Sequence, residues 1–245
     1  MTLSLTLPKS WNELTQEQLL FVFKHIASNN TAVQLKTLCF FKWAGLSVHH
    51  SEKGVFYVEH EGEGSKKLYP LTASKVNDAL FFLSWLEDLP RYPLQIEKIG
   101  KHKAVRADFQ GVPFGDYLTM DNLYQGYLQT KRGDLLQSMA KMLYQCDEIK
   151  LNPTEEVSVF YWFSSVKQLF GQSFKHFFKQ VNTDSEFPNV PSYEQLRDRM
   201  NAQIRALTGG DITKEQQVLE MDCWRALTEL DAKAREADEL KSKTK

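Results

Sequence analysis

Between residues 157 and 178 the chain reads VSVFYWFSSVKQLFGQSFKHFF, and Val159, Trp162, Phe163, Val166, Phe170, Phe174 and Phe177 recur mostly at spacings of three or four. That spacing places them on one stripe of a helix. Phe160, Tyr161, Leu169 and Phe178 lie off the stripe, so apolar surface wraps most of the way round, as in a helix enclosed by a domain. Thr154 is expected to cap it, with Pro153 just before the cap and Glu155 and Glu156 favouring the helix dipole in the first turn. Gly171 weakens the helix by about 1 kcal/mol relative to alanine. The pattern predicts a central core helix on which other helices pack.

Upstream, Leu3, Leu5 and Leu7 alternate with polar residues before Pro8, as in a short edge strand or extended arm. Thr15 and Gln18 fit a capping box, followed by Leu19, Val22, Phe23 and Ile26 on one face until Asn29 and Asn30. A second helix is predicted from about 31 to 44, with Leu35, Leu38 and Cys39 inward and Gly45 beyond its end. Two helices so closely linked predict an antiparallel hairpin. Residues 55–60 then alternate, EGEGSKK supplies turn chemistry, and Leu68, Tyr69 and Leu71 follow, which predicts a β-hairpin. A helix starting at Thr72 or Ser74 turns Val76, Ala79, Leu80 and Leu83 inward and stops near Asp88. LQIEKI and KAVRADF, separated by a turn at Gly100, are expected to add two strands to the same small sheet.

The remainder is predicted helical. Met120, Leu123, Tyr124, Tyr127 and Leu128 share one face, and Leu136, Met139, Ala140 and Leu143 another. After the aromatic helix comes a polar, proline-bearing loop at 181–191, read as a hinge or a mobile tether, then a Ser192/Gln195 capping box with Leu196, Met200, Ile204 and Leu207 inward as far as Gly209 and Gly210. A last helix runs from 213 or 214 to near Leu240, with a charged end that frays or projects. The fold class expected is mainly α, a multi-helix domain with a small antiparallel β insertion. Residues 1–112 form the N-terminal hairpin plus insertion and 113–245 the C-terminal helical region, an arrangement also compatible with one continuous domain.

Composition narrows the function classes. Apolar residues make up 42% of 245 residues, enough for a sizeable core. A formal net charge of −1 leaves no global footprint for nucleic acid, and the local basic cluster Lys98, Lys101, Lys103 and Arg106 reads as a solvated strand edge. Three widely spaced cysteines, Cys39, Cys146 and Cys223, argue for a reducing compartment rather than a disulfide framework. The N-terminus does not read as a signal peptide, and no window approaches 18 uninterrupted apolar residues. The expectation is a cytoplasmic protein without a membrane span.

No P-loop, dinucleotide fingerprint, nucleophile elbow or H-E-x-x-H motif occurs. His49, His50 and His60 lack a nearby cysteine and read as polar loop residues rather than zinc ligands. Glu59, Glu61 and Glu63 read as solvated carboxylates at a hairpin tip, and Cys146 as a structural thiol. Tyr124, Tyr127 and Tyr144 lack interleaved cations and read as core. No catalytic residue, cofactor or metal is expected. The last helix carries a different kind of candidate: Trp224, Leu227 and Leu230 form an apolar ridge at three-residue intervals that either docks onto the domain or faces a partner, the second being the candidate partner surface.

Three stretches carry a resemblance. PFGDYLTMDNLYQGYL at 113–128 looks like a family's "fGqYi" entry into an aromatic-rich helix. LLQSMAKMLY at 135–144 is similar to a helix ending in "iLYr", although Gln145 stands where the family often has arginine. ALTGGDITKEQQVLEMDCWRALTELDAKARE at 206–236 resembles a "La.gDitk" ending. The opening PKSWNELTQEQLL is also similar. Together they resemble a loose family of tailed-phage and prophage proteins of Bacteroidetes hosts, identified as candidate tail assembly chaperones or minor tail-assembly factors. The resemblance covers roughly the C-terminal half and implies a non-enzymatic protein in the host cytoplasm. It would bind a helical client such as a tape-measure segment, with self-association open to it. Helix-in-groove recognition needs packed helices and a few apolar anchors rather than reactive groups. The alternative is a nucleic-acid-binding or regulatory protein of a mobile element, which would need a clustered basic face.

Overall fold

A computed structural model describes residues 6–60, 68–179 and 192–243. The chain is mainly α-helical, with a small antiparallel sheet, and divides into two compact units. The first comprises Met1–Pro90 with Pro153–Val157, and the second Arg91–Asn152 with Ser158–Lys245. The division therefore falls at Pro90 rather than after residue 112.

In the N-terminal unit, α1 (Gln16–Ala27) and α2 (Ala32–Trp43) each open on a complete capping box, Thr15 with Gln18 and Thr31 with Gln34. Residues 6–9 are irregular rather than a strand, and 1–5 lie outside the described residues. Leu19, Val22 and Phe23 of α1 are buried against Leu35, Cys39 and Phe40 of α2. Burial of the bulky Phe40 rotates the inner stripe of α2, so Leu38, expected inward, is exposed. Trp11 closes this core. Its indole N–H donates to the carbonyls of Trp85 (3.1 Å) and Asp88 (3.0 Å), and its ring meets Phe23 and the edge of Trp85.

The sheet has three strands in the order β1 (Leu46–Glu52), β2 (Val55–His60) and β3 (Leu68–Thr72). Sequence alternation shows β2 and β3 but not β1, whose residues LSVHHSE are almost all exposed. Lys53 (φ 50°) and Gly54 (φ 76°) form the two-residue turn between β1 and β2, and positive φ at both positions is the type I′ geometry that matches strand twist. Pro70 sits in edge strand β3, where its missing N–H does least harm. Helix α3 (Ala73–Phe81) follows, capped by Thr72.

The C-terminal unit contains a two-residue ribbon, β4 (Lys98–Ile99) and β5 (His102–Lys103), then α4 (Phe114–Thr130), α5 (Gly133–Leu143), most of α6 (Pro153–Ser173), α7 (Tyr193–Thr208), α8 (Glu215–Glu220) and α9 (Cys223–Lys243). The ribbon is a separate sheet, not an extension of β1–β3. The segment KAVRADF, expected as a strand, is a strap after Lys103 whose main-chain groups bond outside any ladder. Val105 N–H donates to the Leu143 carbonyl (2.8 Å), the Trp162 indole donates to Ala107 (2.8 Å), and the Trp224 indole donates to Asp108 (2.6 Å). These bonds satisfy the strap's backbone and tie it to α5, α6 and α9. Phe109, at φ 63°, is fully buried at its centre, its ring centroid about 6 Å from those of Trp162 and Phe163.

Helix α6 buries Val159, Trp162, Phe163, Val166 and Phe170 as the stripe predicts, but it ends at Ser173, with Phe174 buried just beyond and Phe177 only half-buried. It begins at Pro153 itself, so Thr154 lies in the first turn rather than at the cap. A Cβ at Gly171 would meet nothing within 4 Å. Gly171→Ala is therefore expected to raise stability by about 0.5–1 kcal/mol, measured by thermal or urea melting, and an unchanged or lower midpoint would contradict this. Gly115 is the opposite case, because a Cβ there would lie 3.3 Å from Leu219 as α4 crosses α8. The expected single last helix is broken. Phe114 N–H donates to the Met221 carbonyl (2.7 Å) and Cys223 N–H to Val112 (2.9 Å), which ends α8 and lets Asp222 cap α9 through Arg225 N–H. Helix α9 then continues to Lys243, with Leu240 exposed. The expected hinge at 181–191 lies outside the described residues.

Candidate functional site

The candidate partner ridge is part of the C-terminal core. Leu227 is 0% and Leu230 3% exposed. Trp224 is half-buried, its indole bonded to Asp108 and its ring edge-on to Phe170 (5.2 Å) and Phe174 (5.4 Å). The reason is the strap: once residues 105–112 lie across the start of α9, this face is the one that meets α4 and α6. Asp231, next to Leu230, accepts from His176 and Phe177 N–H (2.8 and 2.9 Å) and fixes the chain leaving α6 on the same helix. Leu227 and Leu230 are thus packed inside the C-terminal unit, and Trp224 is held against it by the Asp108 carbonyl and the Phe170 and Phe174 rings.

The other candidates separate rather than converge. His49, the extra residue of a bulge in β1, places Nε2 2.7 Å from a Glu59 carboxylate oxygen, while His50 stacks on Tyr57 (4.4 Å, 12°). Among the described residues no three His, Cys, Asp or Glu side chains gather closely enough to hold a metal ion, and Glu61 and Glu63 lie outside them. Tyr124 bonds Ser164 (2.9 Å), and Tyr144 donates to the Ile96 carbonyl (2.7 Å). Tyr127 is half-buried, with the Lys131 ammonium over its ring. Lys98, Lys101 and Lys103 are exposed around the ribbon, but Arg106 is paired with Asp108. Partial burial pushes the Asp108 carboxyl up, yet hydrogen bonds from Arg106 and from Gln110 N–H outweigh it and hold the group below its usual range.

Burial pushes the Cys39 thiol up to about 12, and burial with the neighbouring Asp222 charge does the same at Cys223. Since the thiolate is the nucleophile, neither is reactive in the folded chain. Cys146 is only half-buried. Brief iodoacetamide treatment of the native protein at pH 8, read by peptide mass spectrometry, is expected to alkylate Cys146 well ahead of the other two. Equal labelling of Cys39 or Cys223 would contradict the burial.

What the structure does present is an aromatic pair on the N-terminal unit. Helix α3 buries Val76 and Leu80, and Leu83 just beyond it, at spacings of four and three. Phe81 and Phe82 fall about 100° and 200° further round than Leu80, so they point away from that core and are 77% and 70% exposed. Their rings meet edge to face at 6.4 Å. The end of the helix holds them in place, with Phe82 N–H bonded to Ala79 (3.2 Å) and Leu83 N–H to Leu80 (3.1 Å). The same unit also exposes Leu20, Val33, Leu38, Val48, Leu68 and Leu89, whereas the C-terminal unit exposes only Tyr92, Ile212 and Leu240 among its described large apolar residues. Sequence reading missed the pair, although the signal was present: the inward positions of α3 leave two adjacent phenylalanines with no inward place. No helix among the described residues is long and apolar enough to cross a membrane. Comparison with family models, curated proteins and solved structures gives no match to this chain.

Proposed function

We propose that this chain is a non-enzymatic protein-binding factor whose N-terminal unit presents the partner surface, and that its role is tail assembly chaperone for a helical client such as a tape-measure segment. The observation that carries the binding reading is the Phe81–Phe82 pair, two large rings held in water on an ordered helix end. Exposed aromatic rings on a rigid element are what interface anchors look like before the partner arrives. The resemblance of residues 113–128, 135–144 and 206–236 supplies the specific role. Within the C-terminal unit, Cys223, Tyr124 and Tyr144 are taken up in packing and hydrogen bonds.

The test is co-purification of the tagged full chain with helical segments of a tape-measure-type protein encoded beside it, comparing wild type with Phe81→Ser/Phe82→Ser. An anchor truncation costing 2 kcal/mol or more corresponds to a loss of at least about thirtyfold in affinity for the client. The melting midpoint should move little, because exposed positions away from special features shift stability by about 0.5 kcal/mol or less. Retention of the client by the variant would place the surface elsewhere. Failure of the wild type to retain any such segment would remove the chaperone role while leaving the anchor pair to be tested against other helical clients.

A further inference from the structure

We draw no further inference here: the strongest candidate, the groove of about 480 Å³ in the C-terminal unit framed by α4, α7 and α6 and lined by Lys167, Phe177, Arg199 and Met200, carries nothing because nothing in the structure shows what covers it.

Discussion

Trp162→Ala is expected to remove about 3–5 kcal/mol from the stability of the C-terminal unit. The residue is 1% exposed in the middle of α6, with its ring edge-on to Phe109 (6.0 Å) and Tyr144 (6.1 Å). Truncation opens a cavity that these neighbours line, and it also strands the Ala107 carbonyl, which loses its indole donor. The second effect separates from the first in Trp162→Phe, which keeps most of the volume and loses the N–H. That variant should cost about 0.5–1.5 kcal/mol, the net worth of a hydrogen bond to a part-buried acceptor that water can reach. Against a domain stability of about 5–15 kcal/mol, the alanine variant should unfold at a far lower urea concentration. Far-UV circular dichroism is the appropriate probe, because the substitution removes a fluorophore. A midpoint equal to wild type for Trp162→Ala would mean that the α6 stripe is not the core of this unit.

The helices that could be read from the chain are those whose information is local. Three- and four-residue spacing gives the buried face of α6, and Thr15 with Gln18 and Ser192 with Gln195 mark two helix starts that the structure reproduces as complete capping boxes. Gly45, at φ 61°, likewise stands where a helix end needs a left-handed residue. The strap could not be read. Val105 and Phe109 favour a strand, but the strap's carbonyls are taken by indoles 55 residues away at Trp162 and 116 away at Trp224. Nothing local to residues 104–112 encodes those donors. The same long-range bonding splits the last helix at Met221, where propensity alone would run straight through. Strand β1 escaped for a different reason: with Leu46 alone buried, it has no alternation to detect, and it is held by its ladder to β2 and the Lys53-Gly54 turn.

The candidate surface follows the same division. A ridge at three-residue intervals says that a helix has an apolar face, but not whether the protein itself or a partner covers it. On α9 the covering material is the strap and α6, both distant in sequence. On α3 the inner positions are already filled by Val76, Leu80 and Leu83, so Phe81 and Phe82 have only the outer face. Assigning an exposed anchor therefore requires asking which apolar residues remain after the core has been satisfied.

Leu227→Ala/Leu230→Ala is expected to abolish cooperative unfolding of the C-terminal unit near physiological temperature. Each side chain is essentially without solvent contact, and a buried Leu→Ala change costs about 2–5 kcal/mol. The two lie three residues apart on one face of α9, so their cavities can merge and the costs need not add, yet even partial additivity reaches the size of a domain's whole stability. Leu240→Ala on the same helix is the control. That side chain is 66% exposed, and its loss should stay within about 0.5 kcal/mol. Urea titrations followed by circular dichroism distinguish the cases, with a broad or absent transition for the double variant and an unshifted one for Leu240→Ala. A double variant that melts like wild type but no longer holds a helical client would return the ridge to the surface. It would also move the partner site from the N-terminal unit to α9.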